Sequence, residues 1–209
     1  MTNNPETLLP NRRILSAFRK EQIVKSASRL FLKQSYDRTS IRDIARECKM
    51  AMGTLYYHIG TKENLLRMVV EYHDLKHKEI LGKVETSLNT GDPGKALLTA
   101  IKAFSAGIDE IKETFVFVFT ETKVMPRDAR EIILDTERSI IAAFERILLE
   151  GQKKGVFRMK NPTLAAHHIV SMVEMWSVKW WYLKTLCTWE EFNEALTDFV
   201  LRSVSEGTS

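Results

Sequence analysis

The sequence predicts an all-α protein of about nine helices. An N-terminal domain of three helices holds a helix-turn-helix, and a larger helical domain follows. Three observations carry this reading. Apolar residues recur at helical spacing along most of the 209-residue chain. Residues 39 to 66 read as a short helix, a tight turn, a second short helix, another turn and the start of a long helix; the second short helix suits a major groove. Charge is divided unevenly: residues 11 to 62 carry twelve Lys or Arg against four Asp or Glu, and residues 63 to 209 carry nineteen against twenty-two. A basic module joined to a neutral or acidic body is the electrostatic footprint of nucleic-acid binding. The expected boundary leaves 1–62 as the DNA-binding domain and 63–209 as the body.

Composition narrows the class. The hydrophobic share of 44% and charged share of 28% are those of an ordinary globular protein. No apolar stretch approaches the length of a membrane span. The N-terminus has no basic segment leading into an apolar run, so no secretory signal is read there, and a cytoplasmic location is expected with no membrane partner. Cys48 and Cys187 sit in no metal or redox spacing and read as reduced, packed thiols. No metal and no cofactor is expected.

In chain order, residues 1 to about 15 lack periodicity, contain Pro5 and Pro10, and read as a mobile arm in which Arg12 and Arg13 are the basic residues. The first firm helix spans about Phe18 to Gln34, with Ile23, Ala27, Leu30 and Phe31 as its buried stripe. Ser35 to Arg38 form a loop. Thr39 or Ser40 caps the next helix, with Asp43 as the capping-box partner. Ile41, Ile44 and Ala45 are its apolar face, and Ala45 is small enough for two helices to cross. Cys48-Lys49-Met50 is the turn. The third helix runs from about Ala51 to Tyr57, anchored by Leu55 and ended by Gly60. Thr61 caps a long fourth helix from Lys62 to about Thr90. His73, Lys76, His77 and Lys78 on it read as a solvated face; the two histidines have metal-ligand spacing but no evident third ligand.

Asp92-Pro93 starts the fifth helix. Phe115-Val116-Phe117-Val118-Phe119 has a strand's composition, but nothing is available to pair with it, so a buried helix is expected. Met125-Pro126 ends it. The next helix runs from Pro126 to about Lys154, closed by Gly155. Asn161-Pro162 opens a helix to about Cys187 that is apolar on nearly all sides, with Glu174 and Lys179 the only formally charged residues between Leu164 and Leu183. Such a helix must be covered on nearly all sides, and a second copy of the chain is the natural cover. Thr188-Trp189-Glu190-Glu191 is a capping box for the last helix, with Phe192, Leu196, Phe199 and Val200 expected to pack inward.

Thr-Ser-Ile-Arg-Asp-Ile-Ala at 39 to 45, Gly-Thr-Leu-Tyr at 53 to 56, His58, and Thr-Lys-Glu at 61 to 63 followed by Leu65 and Leu66 resemble the DNA-binding domain of the TetR family of bacterial repressors. The resemblance covers residues 18 to 66, and the length and helical remainder agree with it. Four departures stand out: Lys49 where the family usually has glycine, Ala51 where it has a capping serine, Met52 in place of a polar residue, and Ile59 in place of the usual phenylalanine. Lys49 is therefore expected in a left-handed conformation.

The resemblance implies a double-stranded DNA operator as partner. Arg42, Met52, Gly53, Thr54 and Tyr57 would lie near base edges, beside Ala51, and Thr39, Ser40, Tyr56, His58 and Lys62 near phosphates. It also implies a homodimer, which we place on 126–154 and 162–187, on a near-palindromic operator. Release would follow binding of a small hydrophobic effector in the body. Phe104, Ile108, Phe115, Phe119, Met125, Met172, Trp176 and Trp180 are the candidates to line that pocket. The body looks similar to regulators of fatty-acid breakdown that respond to acyl-CoA. Two other readings are a helical enzyme with an apolar pocket, for which Glu174 and His168 are the groups to inspect, and a regulator that needs no ligand. No nucleophile–base pair or phosphate loop supports the enzyme.

Overall fold

The computed structural model describes residues 8–205, apart from the side chains of residues 8–14 and 124. Among these residues there are ten α-helices and no strand: α1 (Leu8–Gln34), α2 (Ile41–Glu47), α3 (Met52–Ile59), α4 (Lys62–Thr86), α5 (Pro93–Glu110), α6 (Lys112–Glu121), α7 (Arg127–Lys153), α8 (Pro162–Val178), α9 (Trp180–Leu183) and α10 (Trp189–Ser205), with single 3-10 turns at Ser87–Thr90 and Thr122–Val124. No described helix is long and apolar enough to cross a membrane. The first part of the expected arm, residues 1–7, and the side chains of Arg12 and Arg13 lie outside the described residues. From Leu8 the chain is helical, which corrects the arm's expected end. Pro10 falls in the first turn, where a missing N–H leaves no intrahelical bond unmade.

Two apolar cores divide the chain. The lower one joins Ile23, Ala27 and Phe31 of α1, Ile44 and Ala45 of α2, and Leu55 and Ile59 of α3. It also takes in Leu65, Leu66, Val69 and Val70 of α4, and Phe117 and Val118 of α6. The N-terminal unit therefore continues up α4 beyond the expected boundary at Lys62. The upper core is built from α4, α5, α7, α8 and α10 around Phe104, Phe144, Ile147 and Val170.

The aromatic run at 115–119 is helical, as its isolation requires. α6 is split between the two cores. Phe117 packs its ring 5.0 Å from Phe31 of α1, while Phe115 belongs to the upper core. Met125 falls in the lower core because the turn at 122–124 folds it back beneath α6.

Two expectations for the C-terminal half need correction. The apolar helix from Pro162 does not run unbroken to Cys187. It stops at Val178, and Lys179 (φ −107, ψ 18) turns the chain into the short α9. That turn lays Trp180 between the ammonium groups of Lys184, 3.9 Å from the ring centroid, and Lys112, 4.9 Å away, a favourable cation–π arrangement. The Thr188 capping box forms, with Glu191 N donating to Thr188 Oγ1 at 3.1 Å and Thr188 N donating to Glu191 Oε2 at 2.8 Å. Phe199 does not pack inward: it is 60% exposed on the outer side of α10. Finally, the apolar stripe of α7 (Ile140, Phe144, Ile147, Leu148) is buried within its own chain. An outward apolar surface spans α8 and α10. There Leu164 and Phe199 are exposed, and a groove of about 390 Å³ runs between Met172, Met175, Phe192 and Ala195.

Candidate nucleic-acid interface

Local chemistry positions the helix-turn-helix. Ser40 caps α2: its Oγ accepts from Asp43 N at 3.2 Å, and Ser40 N donates to Asp43 Oδ2 at 3.0 Å. Such a cap is worth about 1 kcal/mol. Thr39 is buried and donates its hydroxyl to Ser35 O at 2.7 Å, so it holds the loop and is not presented to a phosphate. α1 grips the turn through Gln22, whose Nε2 donates to Cys48 O at 3.1 Å. Cys48 is buried and free, and burial pushes its thiol pKa up.

Lys49 adopts φ 52 in the turn, as its place in the pattern requires. An L-residue there carries a steric cost that glycine lacks. Lys49→Gly is expected to stabilise the folded chain by roughly 0.5–1 kcal/mol, the relief of strain exceeding the added freedom of the unfolded chain. A denaturant midpoint that drops in the variant would contradict this.

Ala51 provides no side-chain cap for α3, matching its departure from serine. Leu55 and Ile59 anchor the helix inward, and Gly60 closes it at φ 68. The remaining positions face out. Tyr57 is 86% exposed and Tyr56 48%; Gly53 and Thr54 are exposed, and Met52 and His58 half-buried. A Cβ added to Gly53 would meet nothing within 4 Å, so packing does not demand glycine there. Its bareness leaves room for close approach of a partner. Arg42 on α2 is exposed and without an ion-pair partner among the described residues.

Lys62 is committed elsewhere in the free protein. Its Nζ donates to Tyr36 O at 2.6 Å and lies 4.2 Å from the Tyr36 ring centroid. It clamps the loop before α2 to the start of α4, a role that spacing alone did not reveal. Asn64 is another such residue, its Nδ2 donating to Ile59 O at 2.7 Å to satisfy the end of α3.

The eight residues expected around an effector are not brought together. Phe104, Ile108 and Phe115 are buried in the upper core, with Met172 packed against it, and Trp176 is buried on α8. Trp176 Nε1 donates to Asp109 Oδ1 at 3.2 Å. Met125 lies in the lower core, and Phe119 and Trp180 are exposed. What sequence reasoning missed is the histidine pair above Phe115. His73 and His77 are not solvated but buried, with rings 4.2 Å apart and His77 Nδ1 3.2 Å from His73 O. Burial holds His73 well below the ordinary histidine range and lowers His77 to about 4. Both are therefore neutral near pH 7. No group of three or more His, Cys, Asp or Glu residues is placed to hold a metal among the described residues.

Glu174, one of the groups to inspect, is buried on α8 and titrates unusually. Burial first, and then the Glu137 carboxylate of α7, push it up to about 8. Its neighbour is Glu137 rather than His168, which is exposed. The folded pKa lies above the unfolded value of 4.5. Stability from this group is therefore whole below that value and is lost as pH rises through about 8. Glu174→Gln is expected to remove a decline on the order of 1–2 kcal/mol between about pH 6 and 8. Parallel melting-temperature curves for parent and variant over that range would contradict the assignment.

Comparison with known proteins follows the same division of the chain. Residues 23–69 match the family described as bacterial regulatory proteins, tetR family, and residues 90–204 match the tetracyclin repressor-like C-terminal domain. The HTH-type transcriptional regulator HbdR of Aromatoleum sp. (strain CIB) is 29% identical over 164 residues, 78% of this chain and 70% of that protein. Among solved structures, PfmR from Thermus thermophilus, a TetR family transcriptional regulator, superposes with a TM-score of 0.74 at 27% identity, covering 90% of this chain and 98% of that one. AibR, solved in complex with isovaleryl coenzyme A and operator DNA, shares the fold with a TM-score of 0.71 at 21% identity, over 91% of this chain and 100% of that one.

Proposed function

The chain belongs to the TetR family and is a DNA-binding transcriptional regulator; from that premise we propose that it is a homodimeric repressor, released from a near-palindromic operator by a small hydrophobic effector. The observation that carries the DNA-facing part is the exposure of Arg42 on α2 and of Gly53, Thr54 and Tyr57 on α3, on helices fastened from behind. In this reading Arg42 would bond a guanine in two places, Thr54 would meet a thymine methyl, and Tyr56 and His58 would approach phosphates. One such face makes few contacts. Two copies joined through α8 and α10 would place two faces on half-sites about 34–36 Å apart, or a multiple of that.

The effector reading rests on the body's interior and on a relative. Phe104, Ile108 and Phe115 lie in the body's apolar core with Met172 packed against it, and two neutral histidines stand against Phe115, surroundings that suit an apolar group. Acyl-CoA is the candidate class, supported by the coenzyme A thioester bound to AibR. Release would pass through two elements. α4 carries the histidines in the body and begins beside α3. α6 presents Phe115 to the body core and Phe117 to α1. A ligand that displaces Phe115 shifts α6 against α1 and alters the spacing of the two reading faces, provided it binds one state better than the other.

The test is binding to DNA from the chain's own upstream region, with and without acyl-CoA. Affinity is expected to fall steeply with salt. Arg42→Ala is expected to weaken binding about 10–100-fold and to relax the preference at one base pair of each half-site, by the usual worth of a bidentate contact. Uniform weakening across all sequence variants would reassign Arg42 to a phosphate. Absence of salt-dependent binding would overturn the DNA reading, and indifference to every acyl-CoA chain length would overturn the effector class alone.

A further inference from the structure

The joint between the two cores holds a polar connection beside its apolar packing. Among the described partly buried residues, Tyr72 on α4 alone packs against both the lower and the upper core. Its hydroxyl reaches beyond both: Tyr72 Oη donates to Glu21 Oε1 of α1 at 3.2 Å. Among the described residues this is the one side-chain hydrogen bond that joins α1 to α4 or α6. Both ends are held. Lys25 Nζ, one turn along α1, lies 2.8 Å from the same Glu21 oxygen. Lys76 Nζ, one turn along α4, lies 5.9 Å from the Tyr72 ring centroid and pairs with Glu79 at 2.8 Å. Burial pushes the Tyr72 phenol pKa up, and the hydrogen bond from Lys25 pulls the Glu21 carboxyl down. Near pH 7 the phenol is therefore a neutral donor and the carboxylate an ionised acceptor, a charge-assisted bond. The next residue of α1 continues the connection. Gln22 Nε2 donates to Cys48 O in the turn between α2 and α3, and Gln22 Oε1 accepts from Arg19 Nη1 at 3.2 Å. One stretch of helix thus meets α4 through Glu21 and the helix-turn-helix through Gln22.

We propose that Tyr72 is a positioning residue for operator binding: acting through Glu21 and Gln22, it fixes where α1 holds the helix-turn-helix against the body, and so how far apart two reading faces stand. The inference rests on the reading of the chain as a dimeric operator binder. It adds to the apolar contact at Phe117 a contact of a different kind. Apolar surfaces slide over one another at little cost, because dispersion and burial have no direction. A hydrogen bond weakens steeply as its angle departs from linear. Phe117 therefore holds α1 to the body, and Tyr72 sets the register in which it is held. Because the Tyr72 ring packs on the upper core, a repacking of that core turns the hydroxyl and moves α1. Tyr72 touches no DNA in this scheme and acts only through α1.

The test is a double-mutant cycle read on DNA, with full-length protein carrying Tyr72→Phe, Glu21→Ala or both. The probes are the segment that the parent protects in its own upstream region, and a single half of that segment. Tyr72→Phe keeps the ring and removes only the hydroxyl. It is expected to weaken binding to the whole segment on the order of tenfold, the effect of one hydrogen bond to a charged group. Half-segment binding should stay unchanged, because a displaced reading face still fits one half-site; a merely structural role would weaken both alike. Glu21→Ala also removes a negative charge, which acts equally in both backgrounds, and on it Tyr72→Phe should cause no further loss. The proposal is overturned if Tyr72→Phe leaves whole-segment binding intact, if it weakens whole and half alike, or if its effect is as large without Glu21 as with it. A parent that binds the half as tightly as the whole overturns the dimer reading and this proposal with it. A parent that prefers the whole segment, with Tyr72→Phe changing nothing, overturns this proposal alone.

Discussion

Phe117→Ala is expected to cost about 3–5 kcal/mol, the usual range for emptying a fully buried phenylalanine site. Phe117 has no exposed surface and packs its ring 5.0 Å from Phe31, where α6 of the body meets α1 of the reading head. The loss therefore falls on the joint between the two cores. We expect the N-terminal core to melt before the body, with DNA binding lost in parallel. Phe119→Ala is the internal control: two residues along the same helix, Phe119 is exposed, and its removal should cost well under about 1 kcal/mol. A thermal or denaturant profile in which the two variants behave alike would remove α6 from the coupling.

Phe199→Asp is expected to dissociate the proposed dimer and weaken operator binding by about 10²–10⁴-fold, the range lost when two linked contacts become independent. Phe199 is 60% exposed beside the groove lined by Met172, Met175 and Phe192, the apolar surface that the chain itself leaves uncovered. A carboxylate placed there would be buried without a partner in any dimer built on α8 and α10. Sedimentation should show a monomer that remains helical. Leu134→Asp, on the exposed side of α7, should leave the dimer intact. If Leu134→Asp dissociates the protein and Phe199→Asp does not, the pairing surface is the α7 and α8 seam that the sequence suggested.

Much of the reading head was legible because its signals are local. The Ser40–Asp43 capping box, the left-handed Lys49, the uncapped Ala51 and the closing Gly60 each depend on neighbours within a few residues. The outward position of Tyr57 and Thr54 follows from helical phase once Leu55 is placed inside. Thr39 and Lys62 were harder. Both are polar and flank the motif, but their side chains turn to the Ser35 and Tyr36 carbonyls, partners supplied by a loop whose course the pattern does not reveal. The histidine pair was misjudged for a related reason. Lys76, Lys78, Glu71 and Glu79 surround it in sequence, yet helical phase places both rings on the opposite side of α4, against Phe115.

By itself, the sequence determined that the protein is helical, where its basic charge lies, and which short stretch carries a helix-turn-helix. Apolar periodicity, caps and charge are properties of consecutive residues, and they survive without knowledge of the fold. The tertiary structure decided which apolar stripes are used internally and which are left over. α7 and α10 have similar amphipathic patterns, but α7 packs on α4, α5 and α8, while α10 packs on α5 and α8. It also decided that four consecutive residues of α6, 115–118, are divided between two cores. Periodicity says that a face must be covered; only packing says by what.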